Sequence, residues 1–143
     1  MILPDANVLL YAVNRASDQH SAALEALLQG LENPRGVGFA WMVLLAFLRI
    51  STRRGIFPSP LSVQDSLRVV EHWLKHPQAR VVHPGERHAE ILGRLLKSAG
   101  TAGNLTTDAH LAALAIEHGA AVASFNRDFA RFDGVQWILP GTG

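Results

Sequence analysis

Short apolar runs alternate along the whole chain with longer amphipathic stretches, and this alternation constrains the fold more than any other feature. It is typical of a parallel sheet whose strands are connected and covered by helices. The predicted strands are residues 2–3, 37–40, 80–83, 121–124 and 135–139, and the predicted helices are residues 5–13, 17–29, 42–51, 62–75, 86–99 and 106–118. We expect Gly30 to end the second of these helices. The pattern therefore predicts an α/β fold with five strands.

The composition is that of one globular domain spanning residues 1–143, with 48% hydrophobic and 17% charged residues. The absence of cysteine excludes disulfides and thiolate metal sites, so a metal would need oxygen or imidazole ligands. A net charge of +1 provides no strong overall field for nucleic acid or anionic lipid. The longest apolar run, residues 37–48, is too short to span a bilayer, and the N-terminus does not resemble a signal peptide. We expect a cytoplasmic protein that does not associate with membranes.

Acidic residues follow two predicted strands and begin one helix. Asp5 follows the first strand, Asp108 lies at the start of the helix before the fourth strand, and Asp128 follows the fourth strand. If the first and fourth strands are neighbours, the three carboxylates converge at the edge where open parallel sheets bind ligands. Such a cluster repels itself unless a cation lies within it, which favours Mg²⁺ or Mn²⁺ and hydrolysis of phosphodiesters.

Structural roles also account for some of these acids. Asp108 is equally well explained as an acid stabilised by the N-terminus of its helix, and Asp128 as a turn residue. Asp5 is harder to explain without a ligand, because a carboxylate after a central apolar strand loses hydration. A further hypothesis makes Asp5 a covalent nucleophile in phosphotransfer, although such enzymes usually carry a second aspartate where this chain has Asn7.

Three segments together resemble the PIN-domain family, and within it the VapC-type toxins of bacterial toxin–antitoxin pairs. They are MILPDANVLLYAV at residues 1–13, NLTTDAHLAALA at residues 104–115 and SFNRDF at residues 124–129, supported by Phe47-Leu48-Arg49 and the loop at residues 55–60. The resemblance implies a three-layer α/β/α domain with a central, mostly parallel five-stranded sheet. It also implies an Mg²⁺- or Mn²⁺-dependent endoribonuclease that acts on RNA, forms a homodimer and is neutralised by a cognate VapB-like antitoxin.

The resemblance assigns roles residue by residue. Asp5 and Asp108 match the family's main metal ligands, and Asn7 matches the polar residue that supports the first of them. Thr107 precedes the second acid at a position that supports the ligands. Asn126 and Asp128 match the polar pair after the fourth strand, one of which orders a metal-bound water.

The chain departs from the family where PIN domains usually carry a glutamate, since that position falls on Ala46 or Phe47 and residues 39–50 contain no acid. Fewer carboxylates weaken the hold on a divalent ion. The second candidate function is therefore a module that binds RNA or antitoxin with weak or lost cleavage.

Basic residues near the predicted acids form two groups. Arg49 and Arg53 are four residues apart, with Arg54 beside them, and Arg127 and Arg131 have the same spacing. Guanidinium groups bind phosphates through paired hydrogen bonds, so both groups are candidate RNA-backbone contacts, although a solvated helical face is an equally ordinary role.

The chain has three tryptophans, at positions 41, 73 and 137. We interpret all three as packing residues.

Overall fold

The computed structural model describes residues 1–55 and 57–142 and has the predicted alternation of strands and helices. The strands are β1 (Ile2–Pro4), β2 (Val37–Phe39), β3 (Ala79–Val81), β4 (Ala121–Ala123) and β5 (Gln136–Ile138). The helices are α1 (Ala6–Val13), α2 (His20–Glu32), α3 (Trp41–Ser51), α4 (Val63–Lys75), α5 (His88–Ala99) and α6 (Thr106–Glu117), with short 3₁₀ helices at Gly103–Leu105 and Arg127–Arg131. Ile56, in the loop that contributes to the family resemblance, lies outside the described residues.

The five strands form one sheet in the order β3-β2-β1-β4-β5, and every described pair is parallel. The chain builds the sheet outward from β1 through β2 to β3, then crosses back to add β4 and β5 on the other side of β1. Right-handed crossovers in opposite directions place helices on opposite faces of the sheet. Helices α1 to α4 pack among themselves and α5 packs on α6. The predicted α/β/α layering is confirmed.

The core lies on both faces of the sheet, as its short, apolar inner strands require. Its largest fully buried side chains include Phe39, Phe47 and Phe129, and the short strands β2 and β4 are buried along their whole length. Trp73 joins this core, with its ring 5.0 Å from that of Phe47. Within residues 1–55 and 57–142, no helix is both long and apolar enough to cross a membrane.

Two sequence-based predictions about individual residues are wrong. Gly30 does not end α2, which continues to Glu32. A β-carbon at Gly30 would lie 2.8 Å from Cγ2 of Val37 and 2.9 Å from Cδ1 of Ile2, so glycine is present there because the helix approaches the sheet closely. Trp41 is not a packing residue, since 45% of it is exposed.

Helix α6 is held against α5 by a chain of polar side chains. Nδ1 of His88 contacts Oε1 of Glu117, and Nε2 of His88 lies 2.9 Å from Nδ1 of His110. The backbone N–H of Gly85 donates to Oε2 of Glu117 at 2.7 Å. Burial, together with the neighbouring His88, lowers the pKa of His110. These contacts hold α6 in place and so fix the helix start that carries Asp108.

Candidate functional site

The carboxyl ends of β1 and β4 meet at the point where the strand order reverses. Pro4 pairs with Ala123 as the last residue of each strand, so Asp5 and Ser124 follow side by side. The backbone N–H of Asp5 donates to the carbonyl of Ala123 at 2.9 Å, which extends the pairing by one step. Ligands of open parallel sheets bind at such a reversal.

Asp5 is held by three hydrogen bonds. Its Oδ1 accepts from the backbone N–H of Ala6 at 2.8 Å, which makes Asp5 the N-cap of α1. Its Oδ2 accepts from the hydroxyl of Ser124 at 2.8 Å and from Nδ2 of Asn7 at 3.4 Å. Burial raises the pKa of Asp5, and the hydrogen bonds from Ser124 and Ala6 oppose that rise. The side chain is therefore fixed in one orientation at some cost in hydration.

Ser124 connects the two strand ends, and the sequence analysis did not assign it a role in the site. It is fully buried and accepts hydrogen bonds from Nδ2 of Asn7 at 3.1 Å and from the backbone N–H of Asn126 at 3.0 Å while donating to Asp5. Its carbonyl accepts from the indole N–H of Trp137 at 2.9 Å. The available signal was a polar residue directly after an apolar strand, the same signal that identified Asp5.

Asn7 joins the loops after β1 and β4. Besides its contacts with Asp5 and Ser124, its Oδ1 accepts from the backbone N–H of Phe125 at 3.1 Å. The ring of Phe125 packs edge-on against Tyr11 of α1 with centroids 5.2 Å apart. Asn7 therefore contacts Asp5 directly, and its supporting role in a metal site stays a prediction.

Asp108 lies in the first turn of α6 and is half-buried. Its Oδ2 accepts from Nδ2 of Asn126 at 3.0 Å. Burial raises the pKa of Asp108 to about 6, and the negative charges of Asp5 and Asp128 add to the rise, while the hydrogen bond from Asn126 opposes it. Asp5 and Asp128 therefore both lie close enough to Asp108 to disfavour its charged form.

Asn126 and Asp128 differ in how they contribute. Asn126 uses its amide nitrogen to hold Asp108 and its Oδ1 to accept from the backbone N–H of Asp128 at 3.0 Å, which caps the 3₁₀ helix at Arg127–Arg131. Asp128 is exposed and acts on Asp108 through its charge. The predicted role of ordering a metal-bound water stays a prediction for both.

Asp5 and Asp108 line one open cavity of about 550 Å³. Its wall consists of the two acids, one sequence neighbour of each acid and one side of α3. The lining residues are Asp5, Ala6, Met42, Val43, Leu45, Ala46, Arg49, Thr107 and Asp108. Ala46 faces this cavity, so the missing glutamate leaves a methyl group beside the two carboxylates.

The carboxylate oxygens in the cavity suit a hard divalent ion that is bound weakly. Among residues 1–55 and 57–142, no group of three or more histidine, aspartate or glutamate side chains is arranged to hold a metal. Among the residues that line the cavity, Asp5 and Asp108 carry carboxylates, and Mg²⁺ commonly uses one or two carboxylates and keeps several waters. A cation bound by both carboxylates would offset the charge of Asp5, which adds to the raised pKa of Asp108 after burial.

The predicted arginine contacts divide between the cavity and other surfaces. Arg49 is exposed and lines the cavity beside the acids. Arg53 and Arg54 are exposed but lie beyond the end of α3 at Ser51, so Arg49 and Arg53 do not share one helical face. Arg127 and Arg131 are exposed in the 3₁₀ helix after β4, outside the cavity wall.

Comparison with known proteins gives one consistent family. The profile of the PIN domain matches residues 2–135. Ribonuclease VapC37 of Mycobacterium tuberculosis is 50% identical over 140 residues, which cover 98% of this chain and 97% of that protein. Ribonuclease VapC33 of the same species is 39% identical over 140 residues, which cover 98% of each protein.

Solved structures with the same fold are more distant in sequence. Mycobacterium tuberculosis VapC20, described as a sarcin–ricin loop cleaving toxin, matches with a TM-score of 0.67 at 19% identity over 95% of this chain and 99% of that chain. VapBC2 from Rickettsia felis, bound to a DNA fragment from its promoter, matches with a TM-score of 0.67 at 19% identity over 96% of this chain and 98% of that chain. These similarities agree with the three-layer fold described above.

Proposed function

This chain belongs to the PIN-domain family, and from that premise we propose that it is a metal-dependent endoribonuclease of the VapC type that hydrolyses RNA phosphodiesters. The observation that carries the proposal is the cavity shared by Asp5, which follows β1, and Asp108, which lies in the first turn of α6. Burial raises the pKa of Asp108 to about 6, and the charges of Asp5 and Asp128 add to that rise. A purely structural role does not require two separated segments to bring like charges together. The two relatives above carry the name ribonuclease, in agreement with this function.

Asp5 and Asp108 would hold the divalent ion, Mg²⁺ or Mn²⁺. When bound, such an ion neutralises charge on a phosphate and makes a water molecule more nucleophilic. Ser124 and Ala6 fix the carboxylate of Asp5, and Asn126 fixes that of Asp108, so both ligands are oriented before substrate arrives. Thr107 places an exposed side chain in the same cavity.

Arg49 would bind the RNA backbone beside the acids. Its place in the cavity wall puts a permanent cation within reach of a phosphate that contacts the site, and a guanidinium group forms paired hydrogen bonds with phosphate oxygens. We propose that the exposed cations Arg53, Arg54 and Arg127 extend this contact to neighbouring phosphates. These contacts give affinity without reading sequence.

Two protein partners belong to this proposal. We propose a cognate VapB-like antitoxin as the inhibitor and a homodimer as the assembly. The neighbour from Rickettsia felis is a toxin–antitoxin complex, which supports the first of these partners. Size-exclusion chromatography with light scattering tests the dimer, and co-expression with the adjacent gene product tests the antitoxin.

A second candidate function is RNA or antitoxin binding with weak or lost cleavage. Ala46 favours it, because the cavity gains no third carboxylate from α3, and Asn126 favours it because an amide rather than a carboxylate contacts Asp108. Two carboxylates hold a divalent ion less firmly than three or four, so turnover would depend on the metal concentration.

Purified protein incubated with total RNA tests the proposal. We expect cleavage with Mg²⁺ or Mn²⁺, none with EDTA, and loss of cleavage in both Asp5→Asn and Asp108→Asn. Asp133→Asn is the matched control, since Asp133 is exposed and lies outside the cavity wall.

Each alternative result has a definite meaning. RNA binding without cleavage at any metal concentration supports the second function and contradicts the first. Trapping of an aspartyl phosphate on Asp5 supports phosphotransfer. Cleavage that survives both Asp5→Asn and Asp108→Asn comes from a contaminant or another site and refutes the assignment.

A further inference from the structure

Helix α3, all of which the structure describes, exposes three residues, and they form one stripe. Trp41, Leu45 and Arg49 stand four residues apart and so lie one above another on the same side of the helix. Trp41 is 45% exposed and Leu45 58% exposed, which is unusual for large apolar side chains in a core helix. At 1.5 Å per residue the stripe is about 12 Å long. We call these three residues the α3 stripe.

The α3 stripe is continuous with the acid cavity. Leu45 and Arg49 line the cavity together with Asp5 and Asp108. Trp41 lies one turn earlier, at the first position of α3 and two residues after the end of β2. It therefore stands at the same carboxyl edge of the sheet as the acids, directly beyond the apolar end of the cavity wall.

The α3 stripe runs from apolar side chains to a cation, which is complementary to a nucleotide with its apolar base and anionic phosphate. We propose that it binds single-stranded RNA, with Trp41 stacking on an unpaired base, Leu45 packing beside that base and Arg49 binding the phosphate next to Asp5 and Asp108. This proposal rests on the proposed nuclease function and adds a base-binding position at Trp41, beside the acids. Single-stranded RNA is recognised through bases stacked on aromatic side chains and phosphates bound by cations.

A strand of RNA fits the stripe better than a second copy of the chain does. A standard protein interface buries about 800 Å² on each partner, whereas the apolar part of the stripe consists of two side chains. Next to these two side chains lie a cation, Arg49, and the carboxylates of Asp5 and Asp108. This arrangement suits an apolar base joined to an anionic phosphate. A base inside a duplex cannot stack on Trp41, because its faces are already covered by neighbouring base pairs.

Binding of a short fluorescent single-stranded RNA, measured in EDTA so that no cleavage occurs, tests the proposal. We expect Trp41→Ala to weaken binding by roughly 5- to 100-fold, the range that corresponds to loss of one base–aromatic stack. Trp41→Phe should recover most of the affinity, because a phenyl ring also stacks. Leu67→Ala is the matched control, since Leu67 is 42% exposed on α4 and lies outside the cavity wall.

Two comparisons separate stacking from a merely structural effect. Annealing the same RNA into a duplex should remove the difference between wild type and Trp41→Ala. An RNA with abasic sites should bind both proteins with the same, weakened affinity. Thermal unfolding of Trp41→Ala checks that the exposed substitution leaves the fold intact.

Several outcomes overturn the proposal. One is an RNA affinity of Trp41→Ala within about twofold of that of the wild type, and another is an equal loss of affinity in Leu67→Ala. A third is no detectable RNA binding by the wild type. The fourth is conversion of a wild-type dimer to a monomer by Trp41→Ala with unchanged RNA affinity, which would show that the stripe is an interface between copies.

Failure of the nuclease function is distinguishable from failure of this proposal, because binding is measured without metal. RNA bound through Trp41 but never cut refutes only the nuclease, and RNA cut equally well by Trp41→Ala with unchanged affinity refutes only the stacking.

Discussion

Replacing Asp108 with asparagine should stabilise the metal-free protein at neutral pH. The raised pKa of Asp108 means that its charged form is disfavoured in the folded state, by burial first and by Asp5 and Asp128 next. Asparagine has nearly the same shape and can still accept the hydrogen bond from Nδ2 of Asn126. The substitution therefore removes a repulsive charge without creating a cavity or an unpaired donor.

The size of this effect follows from the pKa. A rise from 3.8 to about 6 corresponds to about 3 kcal/mol of unfavourable free energy for the ionised group. Because Asp108 is only half-buried, solvent screening reduces this to ~1.5 kcal/mol. For a domain of 143 residues, with an unfolding entropy of about 0.3 kcal/mol/K, the gain raises Tm by about 5 °C.

The effect has a definite pH dependence. The folded protein binds its proton at Asp108 more tightly than the unfolded chain, so the contribution of this group to stability falls as pH rises from about 4 through about 6. Asparagine does not titrate. The Tm difference between Asp108→Asn and wild type should therefore be near zero below pH 4, grow through this window and stay constant above it.

Thermal unfolding in EDTA across this pH range is the measurement, with Asp133→Asn as the control for loss of an exposed carboxylate. Mg²⁺ should then raise the Tm of the wild type and leave Asp108→Asn almost unchanged, because one of two ligands is gone. A variant no more stable than wild type at pH 7.5, or a Tm difference that does not shrink towards pH 4, would refute the electrostatic account of the cavity.

Three further substitutions test other parts of the structure. Ser124→Ala removes the hydroxyl that holds Asp5, leaves the backbone N–H of Asn126 without its acceptor and leaves Nδ2 of Asn7 with only its longer bond to Asp5. It should cost ~1–3 kcal/mol in urea unfolding as well as most of the RNA cleavage; unchanged cleavage contradicts the positioning role. Gly30→Ala places a β-carbon 2.8 Å from a Val37 methyl and should lower the free energy of unfolding by ~1–3 kcal/mol while RNA cleavage is retained. A Tm equal to that of the wild type would contradict this steric account. Ala46→Glu should strengthen Mg²⁺ binding in calorimetry and lower the Tm in EDTA, because it adds a third carboxylate to the cavity; weaker Mg²⁺ binding would show that this position does not reach the ion.

The order of elements was predictable because each strand and helix carries its own periodicity. All five strands and six helices appear where the pattern of apolar residues places them, with shifted ends. Gly30 shows why the ends are less certain. A glycine near a helix end is usually a stop, but here the contact that decides its role is with Val37 and Ile2 on the sheet, which local sequence does not encode.

The carboxylates of the candidate site were predictable because strand ends in a parallel sheet meet at one edge. The connections between them were not. Ser124, a fully buried hydroxyl that serves Asp5, Asn7 and Asn126 at once, depends on the exact pairing of Pro4 with Ala123. The exposure of Trp41 could not be predicted from sequence either, since tryptophan is usually a packing residue and only the packing of α3 shows that this one faces outward.

The charges of the cavity explain how a site without the usual glutamate can still act on RNA. Two carboxylates and Arg49 line it, where a third carboxylate from α3 would add another negative charge. Lower negative charge holds a divalent ion less firmly, but it also repels an incoming phosphate less, and Arg49 attracts that phosphate directly. Metal and RNA should therefore bind cooperatively, because each supplies charge of the sign that the other lacks.

By linkage, the apparent affinity for Mg²⁺ must rise when RNA is present by the same factor by which Mg²⁺ raises the affinity for RNA. Calorimetric titration of Mg²⁺ into the protein, with and without a cleavage-resistant RNA, measures that factor, and equal affinities in the two titrations would show that Arg49 and the acids act independently.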